Sequence, residues 1–411
     1  MGAMDPLMAF LVAIILVALL TAKFGLSPFL SLVVSALAYG VLTGMGPELI
    51  GSVSGGLARI FSALAIIVFS GAVIAEQLRR SRGVERVVAD LLGLLGRGRG
   101  LLASGLSGYL LALPTMCSIT SYLVLEPVVR GMGREAGGSE RRLLFTAGAF
   151  SVLSFNLVYP SPVMVALTGS LGVAPAEALR FGLPLSLLLF VPGLLYMRRL
   201  PAGDEGAIPE GGPLPPRLRS WAPLALPLAL IGAGLLTPRA WLVGSPEVAL
   251  LAGALFSAGL AREGAGEMIK AATRRAGVII FDLCGAGAFA AVIAQGGLGP
   301  ELYAALGEAF PLLLLPFLTA SLIQLAQGSR VVTVVIASEM MRDLPLDPLT
   351  ILFSISAGAF VLSSLSDPYF WLLKDTTGSD LKETLLGYTL PLTGFGLLVF
   401  AATVIRWRFL L

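Results

Sequence analysis

The stretch Phe360 to Thr376 reads FVLSSLSDPYFWLLKDT. It begins as an apolar helix and then breaks. Ser363, Ser364, Ser366, Asp367 and Pro368 fall at the depth where a spanning helix bonds its own backbone, and Pro368 has no amide hydrogen to give. Freed carbonyls and a carboxylate inside a bilayer are tolerated only when buried in protein or lining a watery cavity. Paired broken helices near the midplane are how many secondary transporters build their substrate sites. The break therefore predicts a transporter organised around it.

Composition points the same way. With 56% hydrophobic and 13% charged residues over 411 positions, the chain reads as an all-α polytopic membrane protein. Cys117 and Cys284 lie in apolar segments without CxxC or metal spacing, so no disulfide framework, metal site or cofactor is expected. The chain has no histidine, which leaves carboxylates to carry any proton. The formal charge of +3 does not point to nucleic acid, because the basic residues sit in short loops beside apolar spans and report topology. The opening MGAMDP reads as an added leader outside the fold.

The N-terminal half offers spans at Leu7–Leu20, Pro28–Thr43 and about Ile60–Gln77, then the basic cluster Arg79, Arg80 and Arg82 and an amphipathic interfacial helix, VERVVADLLGLLGRGR. GLSGYLLALPTMCSITSYLVLEPVVRGMG follows, with two apolar arms too short to span and Pro114, Thr115, Cys117, Ser118, Thr120 and Ser121 between them. Arginines at both ends favour a re-entrant hairpin (about 101–133) over one long helix kinked at Pro114. A broken helix at about 143–172 carries FNLVYPSPV, with Asn156, Tyr159, Pro160, Ser161 and Pro162. Phe181–Tyr196 spans again, and a hydrophilic Pro/Gly-rich linker at 201–220 divides the chain.

Residues 221–411 repeat 7–200 in order. Pro223–Leu236, Val248–Leu260 and Ala276–Gln295 are spans, and GGLGPELYAALGEAF answers the first amphipathic helix. A hairpin at about 311–343 has the tip Gln327-Gly328-Ser329-Arg330, the broken helix at about 348–376 follows, and Gly387–Ile405 is the last span. With no net crossing from either hairpin, each half crosses five times, and an odd number makes the two halves inverted repeats. Lys23, the runs Arg79–Arg99, Arg130–Arg142, Arg198–Arg219 and Arg262–Arg275, Lys374 and Lys382 fall on one side. Arg59, Arg180, Arg239, Arg342, Arg406 and Arg408 fall on the other. The positive-inside rule then puts the linker on the cytoplasmic side of the cell (inner) membrane and both termini outside.

Two intramembrane charges dominate the candidate site. Arg330, at a hairpin tip, is costly unless paired: either it clamps a substrate carboxylate through its guanidinium fork, or it pairs internally with Asp282 or Asp367. Asp367 either carries a coupling proton or cation, or only N-caps the half-helix starting at Pro368, and the two roles are compatible. Asp282 is the second ion-coupling candidate. Thr115, Cys117, Ser118, Thr120, Asn156, Tyr159, Ser161, Gly328, Ser329, Ser364 and Ser366 complete the candidate substrate site, although polar groups at such breaks equally serve to satisfy freed backbone. Glu126 and Glu339, in the second hairpin arms, and Glu76 rank below Asp367 because they lie closer to water.

GVERVVADLLGLLGRGR leading into the first hairpin, the segments GAGAFAAVIAQGGLG and LAQGSRVVTVVIA, and above all SDPYFWLLKDTTGSDLKETLLGYTL resemble the gluconate permease family of the ion transporter superfamily. That family's C-terminal Asn-Asp-Pro, Phe-Trp, Lys and Lys-Glu-Thr are matched here by Asp367-Pro368, Phe370-Trp371, Lys374 and Lys382-Glu383-Thr384. The resemblance implies proton-coupled uptake of gluconate and related small hydroxy-acids by a homodimer whose transport domains move like elevators. The chain departs from the family pattern at Met116-Cys117-Ser118, at Asn156–Pro162, at Arg330 and at Asp282.

The leading expectation is a proton-coupled symporter for a small organic anion, a hydroxy-carboxylate or sugar acid that is gluconate-like or glycerate-like, working by an elevator mechanism in the lipid bilayer. A sodium-coupled carboxylate or dicarboxylate carrier of the same superfamily is the alternative, and a channel is a third. A membrane-embedded enzyme finds no histidine, metal cluster or nucleophile–base arrangement to support it.

Overall fold

The structure, a computed structural model, describes residues 4–96, 99–132, 139–201, 213–261, 264–299, 301, 311–364 and 366–409. Among these residues every regular element is helical. The first half contains α1 (Pro6–Ala22), α2 (Pro28–Leu42), α3 (Glu48–Arg80), α4 (Gly83–Leu95), α5 (Gly100–Ala112), α6 (Ser118–Met132), α7 (Glu140–Leu157), α8 (Pro162–Leu171) and α9 (Pro175–Arg199). The second contains α10 (Arg217–Leu236), α11 (Pro246–Ala261), α12 (Ala265–Gln295), α13 (Leu314–Gln327), α14 (Arg330–Met341), α15 (Pro348–Gly358), α16 (Pro368–Thr377) and α17 (Leu381–Phe409). Among the described residues, six stretches are long and apolar enough to cross a membrane: α3, the α7–α8 pair, α9, α10, α12 and α17.

Several boundaries move relative to the sequence. Asp5 accepts from the amides of Leu7 and Met8 and Pro6 opens α1, so the end of the stretch read as a leader is a helix start. α3 and α12 run for 33 and 31 residues, beginning well before the expected spans at Ile60 and Ala276. In α3 the reason is visible in GSVSGGLAR, which lowers local hydropathy yet packs: a Cβ on Gly56 would collide with the Gly287 carbonyl, and one on Gly287 with the Gly56 carbonyl. Small residues bring two helix backbones into contact where lipid offers no competing hydrophobic force.

α4 is the amphipathic helix, and it is fastened to the start of α10, where Arg217 Nε (3.1 Å) and Trp221 Nε1 (3.0 Å) donate to Asp90. Its counterpart at 296–310 and the linker core at 202–212 lie for the most part outside the described residues.

α5 and α6 pack against each other, as do α13 and α14. Their arms of 13, 15, 14 and 12 residues are about 18–23 Å long, against a hydrocarbon core of about 30 Å. Pro114 sits in the turn between α5 and α6 and kinks no continuous helix. Ion pairs gather at the two ends of the bundle. Arg130 joins Glu126, Glu140 and the Thr376 carbonyl at one end, and Arg59 and Arg342 meet Glu339 at the other.

Candidate functional site

The turn between α13 and α14 is set by Gly328, whose φ of +76° suits a residue without Cβ. A Cβ there would strike the Ser366 carbonyl and come within 2.6 Å of the Asp367 amide nitrogen. The hairpin tip therefore rests directly on the break between α15 and α16. Arg330 opens α14 at this contact and is 5% exposed. From Nη2 it donates to Tyr388 Oη (2.8 Å), Ser363 Oγ (2.9 Å) and Asp367 Oδ2 (3.1 Å).

Tyr388 Oη in turn donates to Asp367 Oδ2 at 2.8 Å. The other carboxylate oxygen, Oδ1, accepts from the Tyr369 amide at 2.9 Å and so caps α16. Capping and ion pairing are thus carried by separate oxygens of one side chain. Arg330 Nε is buried without a partner. Of the two acids set against Arg330 by sequence, Asp367 is the one it meets. Asp282 lies on α12 instead, where Oδ1 accepts from the Phe29 amide (3.2 Å) in the first turn of α2. That amide has no helical acceptor of its own, and a neighbouring carboxylate supplies one.

Around the pair, two glutamines hold the tip. Gln324 donates to the Gly328 carbonyl (2.8 Å), accepts from Thr333 (2.8 Å) and receives Ser366 Oγ on its own carbonyl (3.3 Å). Gln327 donates to the Ser329 carbonyl at 2.6 Å. The Ser364 carbonyl accepts from the Asp367 amide at 2.9 Å. Gly328, Ser329, Ser364 and Ser366 therefore lie at this contact, the first three with backbone groups engaged and Ser366 through its hydroxyl. Tyr388 reaches it from a π-turn, Leu385–Thr389, inside α17. Such turns are frequent at functional positions.

The first half contributes a parallel but uncharged arrangement. Met116 adopts φ +54° at the tip between α5 and α6, and a Cβ on Gly71 of α3 would lie 2.8 Å from the Thr115 carbonyl. Thr115 Oγ1 donates to the Leu111 carbonyl (2.6 Å), Cys117 Sγ accepts from the Thr120 amide (3.4 Å), and Ser118 and Thr120 are buried. Ser161 Oγ accepts from the Met164 amide (3.2 Å) and caps α8, after the buried Tyr159 and the cis Tyr159–Pro160 peptide. Asn156 Nδ2 donates to the Ser356 carbonyl (3.3 Å) and Ser356 Oγ to the Asn156 carbonyl (2.8 Å), so the two broken helices touch, with Asn156 Oδ1 buried and unpartnered.

No hydrogen bond between described residues joins Thr115, Cys117, Ser118 or Thr120 to Arg330. A tyrosine series bridges the gap: Tyr122 of α6 stacks edge-on with Tyr369 (5.5 Å), and Tyr369 with Tyr388 (5.4 Å). Tyr369 Oη also meets Ser151 Oγ at 2.9 Å. Ser363, Gln324, Tyr369 and Tyr388 were not among the residues picked by sequence as the site. A single phenol in the apolar last span was the available signal for Tyr388.

Comparison with known proteins agrees with this architecture. The chain matches the family described as GntP family permease over residues 5–200 and 234–408. It is 24% identical over 420 residues to the low-affinity gluconate transporter of Escherichia coli strain K12, covering 93% of this chain and 94% of the relative. It is 25% identical over 428 residues to the D-serine transporter DsdX of Escherichia coli O6:H1, covering 92% and 93%. Among solved structures, the YdaH transporter of Alcanivorax borkumensis superposes with a TM-score of 0.63 at 19% identity, covering 88% of both chains. The protein is a multi-pass membrane transporter and not an enzyme, and with both halves of its helices matched it belongs to the GntP permease family.

Proposed function

We propose that the protein is a proton-coupled symporter of a small hydroxy-carboxylate or sugar acid, gluconate-like or glycerate-like, in the inner membrane. The observation that carries this reading is the buried Arg330–Asp367 pair, in which the arginine keeps an unpartnered Nε. Gluconate and D-serine, named for two of the relatives, share a carboxylate beside a carbon bearing a polar group. That carboxylate matches a guanidinium fork.

In the empty site Arg330 and Asp367 neutralise each other. An incoming carboxylate takes Arg330, helped by Ser329 and the partial positive charge at the start of α16. Asp367, stripped of its cation in an apolar surrounding, then takes up a proton. Both the empty site and the doubly loaded site are neutral, whereas substrate without proton leaves a buried net charge. Moving that charge across the apolar barrier is costly, and this ties the two fluxes together.

We read residues 7–200 and 221–411 as two inverted repeats. α6 begins at Ser118 and α14 at Arg330, and α8 is capped by Ser161 where α16 is capped by Asp367. The ion pair of the second half thus corresponds to two serines in the first. Ser118, Thr115, Thr120 and Asn156 are suited to the hydroxyl end of the substrate. We assign the hairpins and broken helices to a moving elevator domain and Leu7–Thr43 with Pro223–Leu260 to a homodimer scaffold. Both termini are then extracytoplasmic. Proteoliposomes with an alkaline interior should accumulate labelled gluconate or glycerate and lose it on adding a protonophore. Accumulation of neither, or accumulation indifferent to the protonophore, would remove this reading.

A further inference from the structure

At the membrane face opposite the linker, α3, α8 and α14 face one another across a crevice of about 330 Å³, which shares its mouth with a cleft of about 470 Å³. Each helix presents one side over about two turns, and Arg59, Glu339 and Arg342 line both spaces. The innermost lining residues are Val335 and Val165. At about 1.5 Å per residue they stand about 7.5 Å along α14 from Arg330 and about 4.5 Å along α8 from Pro162. The crevice therefore runs from the surface towards the charged hairpin tip and the first break.

The mouth is built around Glu339, which is buried and accepts from Ser170 Oγ (2.9 Å), Arg59 Nη1 (3.1 Å) and Arg342 Nη1 (3.3 Å). The two arginine side chains are 46% and 47% exposed. Asp343 pairs with Arg342 at 3.7 Å and is itself exposed. Two guanidinium groups thus share one buried carboxylate and keep donors for solvent. Among the described residues, Arg59–Glu339 is the one ion pair that joins α3 or α12 to a hairpin or broken helix.

We infer that Arg59 and Arg342 form an outer anion site, separate from Arg330, which takes the carboxylate of a small organic anion before it passes into the crevice. Glu339 holds the two arginines between arrivals and yields one of them to the incoming carboxylate, whose two oxygens fit the guanidinium fork. Glu339 and Asp343 balance the two arginines in charge, so capture rests on the exposed guanidinium donors at the mouth of the crevice. Removing the charge of Glu339 leaves the mouth net positive, which raises the local anion concentration and the rate of capture. The inference rests on the carboxylate-transport reading.

Arg59→Gln and Glu339→Gln break the same ion pair, and they separate capture from bracing. With gluconate as probe in proteoliposomes at low ionic strength, Arg59→Gln should lower kcat/KM for uptake by about tenfold, and Glu339→Gln should raise it by about threefold, with both differences fading near 0.5 M salt. Gluconate protection in a thermal shift, which reports the Arg330 centre, should stay within about twofold of wild type in both. Losses in the same direction in both variants, independent of salt, would make the cluster a brace and overturn the inference, as would unchanged kinetics. A wild-type protein that moves no carboxylate would remove the transport reading and this site together.

Discussion

Arg330 and Asp367, 37 positions apart in the chain, meet at 3.1 Å between a hairpin tip and a helix break, with Tyr388 bonded to both. Removing one member of such a buried pair leaves the other charge uncompensated. Arg330→Ala should therefore weaken substrate binding by about 2–5 kcal/mol, and Arg330→Lys should recover part of it because the charge returns without the fork. Titration of purified protein with gluconate reads this directly. Normal binding by Arg330→Ala would reduce the arginine to a structural partner of Asp367.

Tyr388→Phe removes the hydroxyl that bridges the pair and leaves the ring. The variant should lose about 1–3 kcal/mol of stability, the usual cost of a buried group left unsatisfied. It should bind substrate with altered pH dependence, because the phenol donates to the same oxygen of Asp367 as the arginine does. Unchanged stability and pH profile would place Tyr388 outside the network.

The break itself was legible in sequence because serines, an aspartate and a proline at Ser363–Pro368 have no other reason to interrupt an apolar span. The short arms of α5 and α6 were legible from their length and the arginines at both ends, and those of α13 and α14 from their length and the polar tip Gln327–Arg330. Three things were not. The π-turn that swings Tyr388 onto Asp367 leaves no periodic trace in LLGYT. The choice between Asp282 and Asp367 as partner of Arg330 depends on which helices cross, and Asp282 proves to cap α2 from 253 positions away. The early start of α3 goes with glycine-mediated contact to α12 at Gly56, which lowers rather than raises local hydropathy, and the early start of α12 lies in AGEMIKAATRR, whose charges hide it from a hydropathy reading.

That glycine contact gives a prediction of its own. Gly56→Leu should separate α3 from α12 and lower stability by about 1–3 kcal/mol, since a side chain there meets the Gly287 backbone rather than flexible atoms. A thermal scan in detergent checks it. A variant as stable as wild type would show that the two helices do not cross at this point.

Gly328→Ala acts at the tip instead. Its left-handed φ and the Ser366 carbonyl both oppose a Cβ, so the tip must lift from the break. The variant should insert and purify normally yet lose most uptake. Wild-type uptake would mean that the tip does not seat on Asp367 during the cycle.

The central claim is that the substrate carboxylate replaces Asp367 at Arg330 and that Asp367 then takes up a proton. Calorimetry of gluconate binding in buffers of different ionisation enthalpy counts that proton. Wild-type protein should take up close to one proton per gluconate, with affinity falling about tenfold per pH unit where Asp367 is ionised in the empty site. Asp367→Asn should bind gluconate with no proton uptake and no such pH dependence. Binding without proton uptake in the wild type, or proton uptake that survives in Asp367→Asn, would contradict the account and move the coupling site to Asp282, Glu126 or Glu339.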